Sequence, residues 1–190
     1  NSGEQLLNII PLCRELKKFM HFLQEGPVVD ESAFLEQPQV GVIAMRPYKK
    51  GEAIFLVEGP ITSKASKYSF ALDLNRHIEP RQEGDKYNLG HYVNHSCDPT
   101  VFTRIIERDG NTPYIEVVAR RDIKKGEEIT FDYATLEYEV TLVNAMCKCG
   151  TKKCRKIIQG FKNLPPEVIQ KYKDEGILAE YLLKIQKAGD

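Results

Sequence analysis

No stretch of this 190-residue chain is uninterruptedly apolar over the length a membrane-crossing helix needs, and no secretory-leader pattern opens it. Nor is either charge in excess: Lys plus Arg and Asp plus Glu both number 27. Without a global field to drive the chain onto nucleic acid or an anionic membrane, a purely electrostatic DNA binder is disfavoured. One local basic cluster remains, Lys148, Lys152, Lys153, Arg155 and Lys156, for which a solvated loop is the more ordinary explanation. Methionine is missing from position 1; the chain starts Asn1-Ser2-Gly3, which leaves room for targeting signals or further domains outside it. These absences make a soluble intracellular protein the expectation, with no membrane partner and no strong direct nucleic-acid binding. What is present, 42% hydrophobic and 28% charged residues, suits one globular domain with a real core and a small appendage.

Residues 4 to 24 carry Leu6, Ile9, Cys13, Leu16, Met20 and Leu23 at helical spacing, interrupted at Pro11, so an amphipathic helical entry is expected over 1–37. From about residue 38 to 133 the texture shifts to short runs: Val40 to Ala44, Ala53 to Val57, Val101 to Ile106 and Tyr114 to Ala119. These read as strands, and Asp109-Gly110-Asn111, residues that tolerate positive φ, makes 101–119 a hairpin. Asn163-Leu164-Pro165-Pro166-Glu167 starts a helix with prolines where a missing N–H costs little, with Val168, Ile169 and Tyr172 inward. After Gly176, Ile177, Leu178, Tyr181, Leu182 and Ile185 continue a second amphipathic series, packing on the body or on an absent neighbour.

The cysteines carry the chemistry. Cys147, Cys149 and Cys154 are spaced C-x-C-x4-C, and Cys97 ends Asn94-His95-Ser96-Cys97 some fifty residues earlier. In a chain without signs of secretion such sulfurs are better read as thiolates completing a closed tetrahedral structural zinc site than as disulfides. Cys13 stands apart as a small hydrophobe on the first helix. A Cys97–His95 nucleophilic pair is a competing reading: residues two apart on a strand share a face, but the zinc-spaced cysteines claim the same sulfur.

Two further segments, Arg46-Pro47-Tyr48-Lys49-Lys50-Gly51-Glu52-Ala53-Ile54 and Arg121-Asp122-Ile123-Lys124-Lys125-Gly126-Glu127-Glu128-Ile129, agree at six of nine positions. Their shortness favours two similar glycine turns over internal duplication.

Taken together, the motifs resemble the SET-domain protein lysine methyltransferases over about residues 38 to 158. Gly41-Val42-Ile43-Ala44 with the Lys50-Gly51-Glu52 turn looks like the family's amino-terminal cofactor segment, and Tyr68-Ser69-Phe70 like its substrate-channel strand. Tyr92 to Pro99 matches the central signature, Gly126 to Tyr133 the catalytic strand, and Cys147 to Cys154 the post-SET zinc loop. Gln39, Val40 and His91 depart from the pattern, and no cysteine-rich segment precedes the strands as in the subgroup with a pre-SET cluster.

The resemblance implies a mainly β fold with flanking helices: small, mostly antiparallel sheets around a pseudoknot. It divides the chain into an N-terminal helical segment (1–37), a SET domain (38–140), a post-SET zinc loop (141–160) and a C-terminal helical appendage (161–190). It implies methyl transfer from S-adenosylmethionine to the ε-amine of a lysine in a protein substrate, a histone tail being the leading candidate. The chain would act as a monomer, in the nucleus or on chromatin if the substrate is a histone and in the cytoplasm otherwise. By the same resemblance Tyr133 is catalytic, Tyr68 faces it across the channel, and Phe131 sets the product, leaving room for the di- or trimethyl state. Gly41, Val42, Asn94 and His95 would hold the cofactor, and Cys97, Cys147, Cys149 and Cys154 the metal. Each aromatic has an ordinary reading as core, and His95 as a structural histidine. The non-enzymatic alternative is a SET-like zinc module that binds or scaffolds without transferring methyl groups; retained Asn94, His95 and Tyr133 weigh against it.

Overall fold

A computed structural model describes residues 28–30, 40–83, 86–108, 111–140 and 146–189. The expected entry helix, Cys13 included, lies outside the described residues. The described residues form twelve strands, two α-helices and three short 3₁₀ turns. β1 (Val28–Asp30), β2 (Gly41–Ile43), β12 (Glu128–Phe131) and β9 (Asn94–His95) form one sheet in the order β1-β2-β12-β9. β10 (Val101–Arg108), β11 (Asn111–Ala119) and β3 (Ala53–Val57) form a second; β4 (Ile61–Thr62), β6 (His77–Ile78) and β5 (Phe70–Ala71) a third; β7 (Gln82–Glu83) and β8 (Lys86–Tyr87) a two-stranded ribbon. All pairings are antiparallel except β12 with β9, where Thr130 lies opposite Asn94 and Phe131 opposite His95.

The expected strand pairing forms, Val101 opposite Ala119 and Arg108 opposite Asn111. Its β-branched runs bury Val101, Ile115 and Val117 against Ile54 and Val57 of β3. This packing, rather than strand propensity alone, holds such short strands together.

The two matching turns meet each other. Tyr48 and Ile123 exchange backbone hydrogen bonds of 2.9 Å in both directions, while the Gly51 N–H donates to Ala119 O and the Gly126 N–H to Ala44 O, both at 2.8 Å. Gly51 and Gly126 take φ of 85° and 86°, a conformation that strains any side chain, so the glycines are required. In each turn the arginine pairs with the glutamate six residues on, Arg46 with Glu52 and Arg121 with Glu127, at 2.7 Å. The repeat is therefore a local two-fold that delivers β3 to one sheet and β12 to another.

The two helices, α1 (Pro166–Asp174) and α2 (Glu180–Gly189), pack on the body: Tyr172, Ile177 and Leu182 share the core with Ile129 and Leu136. The Ala179 N–H donates to Thr135 O at 2.9 Å, and Phe161 N–H to Glu137 O at 2.8 Å, so the C-terminal segment is laced onto the chain just after β12. Among the described residues no helix is long and apolar enough to cross a membrane.

Candidate active site

Cys97 follows β9, and its Sγ meets those of Cys147, Cys149 and Cys154, all within 4.8 Å of one another. Cys97 and Cys147 Sγ are 3.7 Å apart. A tetrahedron of ~2.3 Å zinc–sulfur bonds has edges of about 3.8 Å, so this all-sulfur set fits structural zinc. Backbone geometry prepares the loop: Cys147 N–H donates to Lys156 O at 3.0 Å, and Gly150 and Lys156 take positive φ of 68° and 65°. Amide hydrogens point at the sulfurs, from Arg155 to Cys97 and from Lys156 to Cys154, each at 3.4 Å, as suits thiolate ligands. Of the basic cluster, Lys153 pairs with Asp98 and Arg155 with Asp132, so two of the five charges are already neutralised.

His95 lies buried between the sulfur cluster and the aromatic run. Its Nδ1 accepts the Tyr133 N–H at 3.3 Å, and its Nε2 is 3.3 Å from Cys97 Sγ. Burial pushes its pKa down to about 4 despite nearby Asp132, so the ring is neutral at physiological pH. Burial pushes the metal-free Cys97 thiol up to about 11. The histidine–cysteine contact of the hydrolase reading thus exists, but the Cys97 sulfur is already gathered with those of Cys147, Cys149 and Cys154. Asn94 Nδ2 donates to Val40 O at 3.0 Å and to Glu128 Oε1 at 2.9 Å, tying the start of β2 to β12. Glu128 is itself raised by burial, an effect the Asn94 bond only partly offsets. Gly41 is buried in β2, and Val42 has 0% exposure, so its side chain serves the core and only its backbone could face a cofactor.

The aromatic residues form a run. Phe70 stacks on Phe131 with centroids 5.4 Å apart, Phe131 tilts against Tyr133 at 4.8 Å, and Tyr133 meets His95 edge-on at 5.1 Å. The parallel β9–β12 pairing explains the convergence, since it sets Phe131 level with His95. The Tyr133 hydroxyl donates to Val93 O at 3.2 Å. Burial, with Glu128 and Glu137 nearby, lifts its pKa well above the ordinary tyrosine value, so the phenol stays protonated. Tyr68 sits differently: it is 39% exposed and stacks on His91 at 3.7 Å.

Two acids that sequence reasoning did not single out complete the site. Glu137 accepts the Ala71 N–H at 2.9 Å, joining β5 to the segment after Tyr133, and burial pushes its carboxyl up to about 7. Asp132, with 0% exposure, accepts from Arg155, Tyr172 and the Ala134 amide. Its only sequence signal is a charge inside the apolar frame Phe131-Asp132-Tyr133.

The SET domain family profile matches residues 39–134, just over half of the chain. Similar proteins include histone-lysine N-methyltransferase ATX2 of Arabidopsis thaliana, 31% identical over 134 residues, covering 62% of this chain and 12% of that protein. Histone-lysine N-methyltransferase Su(var)3-9 of Drosophila pseudoobscura pseudoobscura is 33% identical over 144 residues, 62% of this chain and 23% of its own length. The chain therefore spans less than a quarter of either relative. Among solved structures, KRYPTONITE in complex with mCHG DNA and SAH superposes with a TM-score of 0.54 at 23% identity, over 68% of this chain and 28% of that one, a likeness of fold.

Proposed function

From the premise that this chain belongs to the SET-domain family, we propose that it transfers methyl groups from S-adenosylmethionine to the ε-amine of a protein lysine, to the di- or trimethyl state. The observation that carries the proposal is the run Phe70–Phe131–Tyr133–His95, brought against Asn94 by the parallel pairing of β9 and β12. An aromatic run beside Asn94 and His95 suits an amine approaching from the aromatic side and a nucleoside from the asparagine side. Histone-lysine methyltransferase relatives favour a histone tail as substrate, and hence the nucleus or chromatin as its place of action.

The chain's own residues do three things on this reading. A lysine with an ordinary pKa of about 10.4 must lose its proton before its lone pair can attack, at a cost of roughly 4 to 5 kcal/mol at neutral pH. Phe70, Phe131 and Tyr133 disfavour the ammonium by desolvation and relieve part of that cost. The Tyr133 hydroxyl, fixed near Val93 O and kept protonated, orients the amine and stabilises charge dispersing from the sulfonium without acting as a base. Asn94 and His95 line the cofactor side. S-adenosylmethionine supplies an electrophilic methyl on sulfur, and alignment of amine, methyl and sulfur contributes an entropic share. Zinc held by Cys97, Cys147, Cys149 and Cys154 would supply folding energy to the loop of 141–160, closing it over β9. The catalytic unit then spans 38–140, with 161–190 bracing it.

The test incubates the purified chain with labelled S-adenosylmethionine, histones and cell extract, followed by mass spectrometry of lysines. Labelled di- and trimethyl-lysine is the expected result. A chain that binds neither S-adenosylmethionine nor its product would instead be the scaffold module.

A further inference from the structure

We propose that Arg155, Asp132 and Tyr172 form a clasp through which the cysteine loop and helix α1 position the strand end that carries Tyr133, with Arg155 as the positioning residue. The inference rests on the reading of Tyr133 as catalytic and of the four cysteines as zinc ligands.

The three residues come from three parts of the chain. Arg155 follows the ligand Cys154, Asp132 precedes Tyr133, and Tyr172 lies in α1. Arg155 grips the carboxylate with both terminal nitrogens, Nη1 to Oδ2 at 2.7 Å and Nη2 to Oδ1 at 2.8 Å. The Tyr172 hydroxyl donates to Oδ2 at 2.8 Å. Asp132 has 0% exposure and Tyr172 1%, so these bonds form away from water, where a two-pronged charged grip is strongest and most directional.

Both ends of the clasp touch the chemistry. Asp132 Oδ1 also accepts the Ala134 N–H at 3.1 Å, and the Thr135 hydroxyl donates to Asp132 O at 2.7 Å. Those two bonds cap the short 3₁₀ turn Tyr133–Thr135, so a rotation of the Asp132 carboxylate turns the backbone that aims Tyr133. At the other end the Arg155 N–H donates to Cys97 Sγ at 3.4 Å, so one residue grips the strand with its side chain and a candidate zinc ligand with its backbone. Arg155 Nε is buried without a hydrogen-bond partner among the described residues, which leaves the fork to Asp132 as the interaction that fixes the side chain. A buried pair can serve as mere glue, in which case a neutral pair of similar size would replace it without loss. A positioning pair cannot be replaced that way, because the neutral pair lacks the fork that orients Asp132.

The comparison of Arg155→Met, Arg155→Met/Asp132→Asn and Arg155→Lys with the parent chain separates the two roles. The double variant removes the uncompensated buried charge and should recover thermal stability lost in Arg155→Met, while kcat stays at least tenfold down with the KM for S-adenosylmethionine changed less than threefold. Arg155→Lys should release zinc to a chromogenic chelator about tenfold faster. Hydrogen exchange should quicken about tenfold both at Lys148 to Lys156 and at Ala134 and Thr135, with Val101 to Ala119 unchanged. A double variant with parental kcat, or exchange that quickens in the cysteine loop alone, overturns the clasp. Exchange decides the matter without a lysine substrate, whereas a parent chain that transfers no methyl group and holds no zinc refutes the underlying reading separately.

Discussion

On the proposed reading Tyr133 and Tyr68 belong to two walls of one channel, and the two are differently built. β12, which leads into Tyr133, buries Ile129, Thr130 and Phe131 and is bonded to segments far away in sequence: Ser96 N–H donates to Phe131 O at 3.0 Å, and Thr130 N–H to Thr100 Oγ1 at 2.8 Å. Tyr68 lies in the loop before β5, not in the strand that the resemblance implied. The bonds of that loop are mostly local, Ser66 Oγ accepting from the amides of Tyr68 and Ser69 at 3.1 Å, and the sheet that β5 joins is made of two-residue strands. Many long-range constraints on one side and few on the other mean that, on that reading, the first wall fixes geometry while the second can adapt to a peptide. Transition-state alignment needs the former; accommodating a substrate backbone needs the latter.

The largest test of that contrast removes one oxygen from the fixed wall. Tyr133→Phe should lower kcat by about 10²–10³, or ~2.7–4 kcal/mol, the range found on losing one preorganised donor. The lost bond to Val93 O should cost only about 0.5–1.5 kcal/mol of stability. Steady-state kinetics with urea unfolding would check both, and a tenfold or smaller loss would deny Tyr133 its role. Next in size comes the joint between the walls, the Glu137 carboxylate on the Ala71 N–H. Its folded pKa is raised from the usual 4.5 to about 7, so the folded state holds the proton more tightly than the unfolded chain. Stability from this group is fully present below pH 4.5 and lost as pH rises through 7, at most about 3 kcal/mol for that difference. Glu137→Gln should flatten that slope; equal pH profiles of unfolding for parent and variant would contradict it.

Legibility follows the same division. The strands, the pairing of β10 with β11, the proline-started helix and the cysteine set were readable because each is encoded within about ten residues, or in a spacing that chemistry restricts. Family resemblance supplied the meeting of β9 with β12, which no periodicity implies. Asp132–Arg155, Asp132–Tyr172 and Ala71–Glu137 escaped because they join groups 23, 40 and 66 residues apart, with no local pattern to mark the partners. The two-fold pairing of the glycine turns was hidden for the same reason: their identity was visible, but not that each is the other's neighbour.

Phe131 probes how tightly the fixed wall is filled. Its ring lies between Phe70 and Tyr133, so on the proposed reading Phe131→Tyr inserts a hydroxyl where a methylated ammonium would need room. Overpacking of this kind costs about 1–3 kcal/mol where the site cannot yield. The expected outcome is a shift from di- and trimethyl-lysine toward monomethyl-lysine, with the first transfer slowed less than tenfold. Time-resolved mass spectrometry of the product would show it, and an unchanged distribution would remove Phe131 from the specificity role.

The smallest effect is expected at Tyr68. Tyr68→Phe keeps the ring on His91 and deletes only a hydroxyl from a residue that is 39% exposed, so stability should move by no more than about 0.5 kcal/mol. If the wall adapts, the hydroxyl joins the amine only after the peptide is seated, and its loss should cost severalfold in kcat/KM, well short of the Tyr133→Phe loss. A Tyr68→Phe defect as large as that of Tyr133→Phe would mean that substrate binding makes the thin wall as rigid as β12. The contrast between the walls would then belong to the free protein alone.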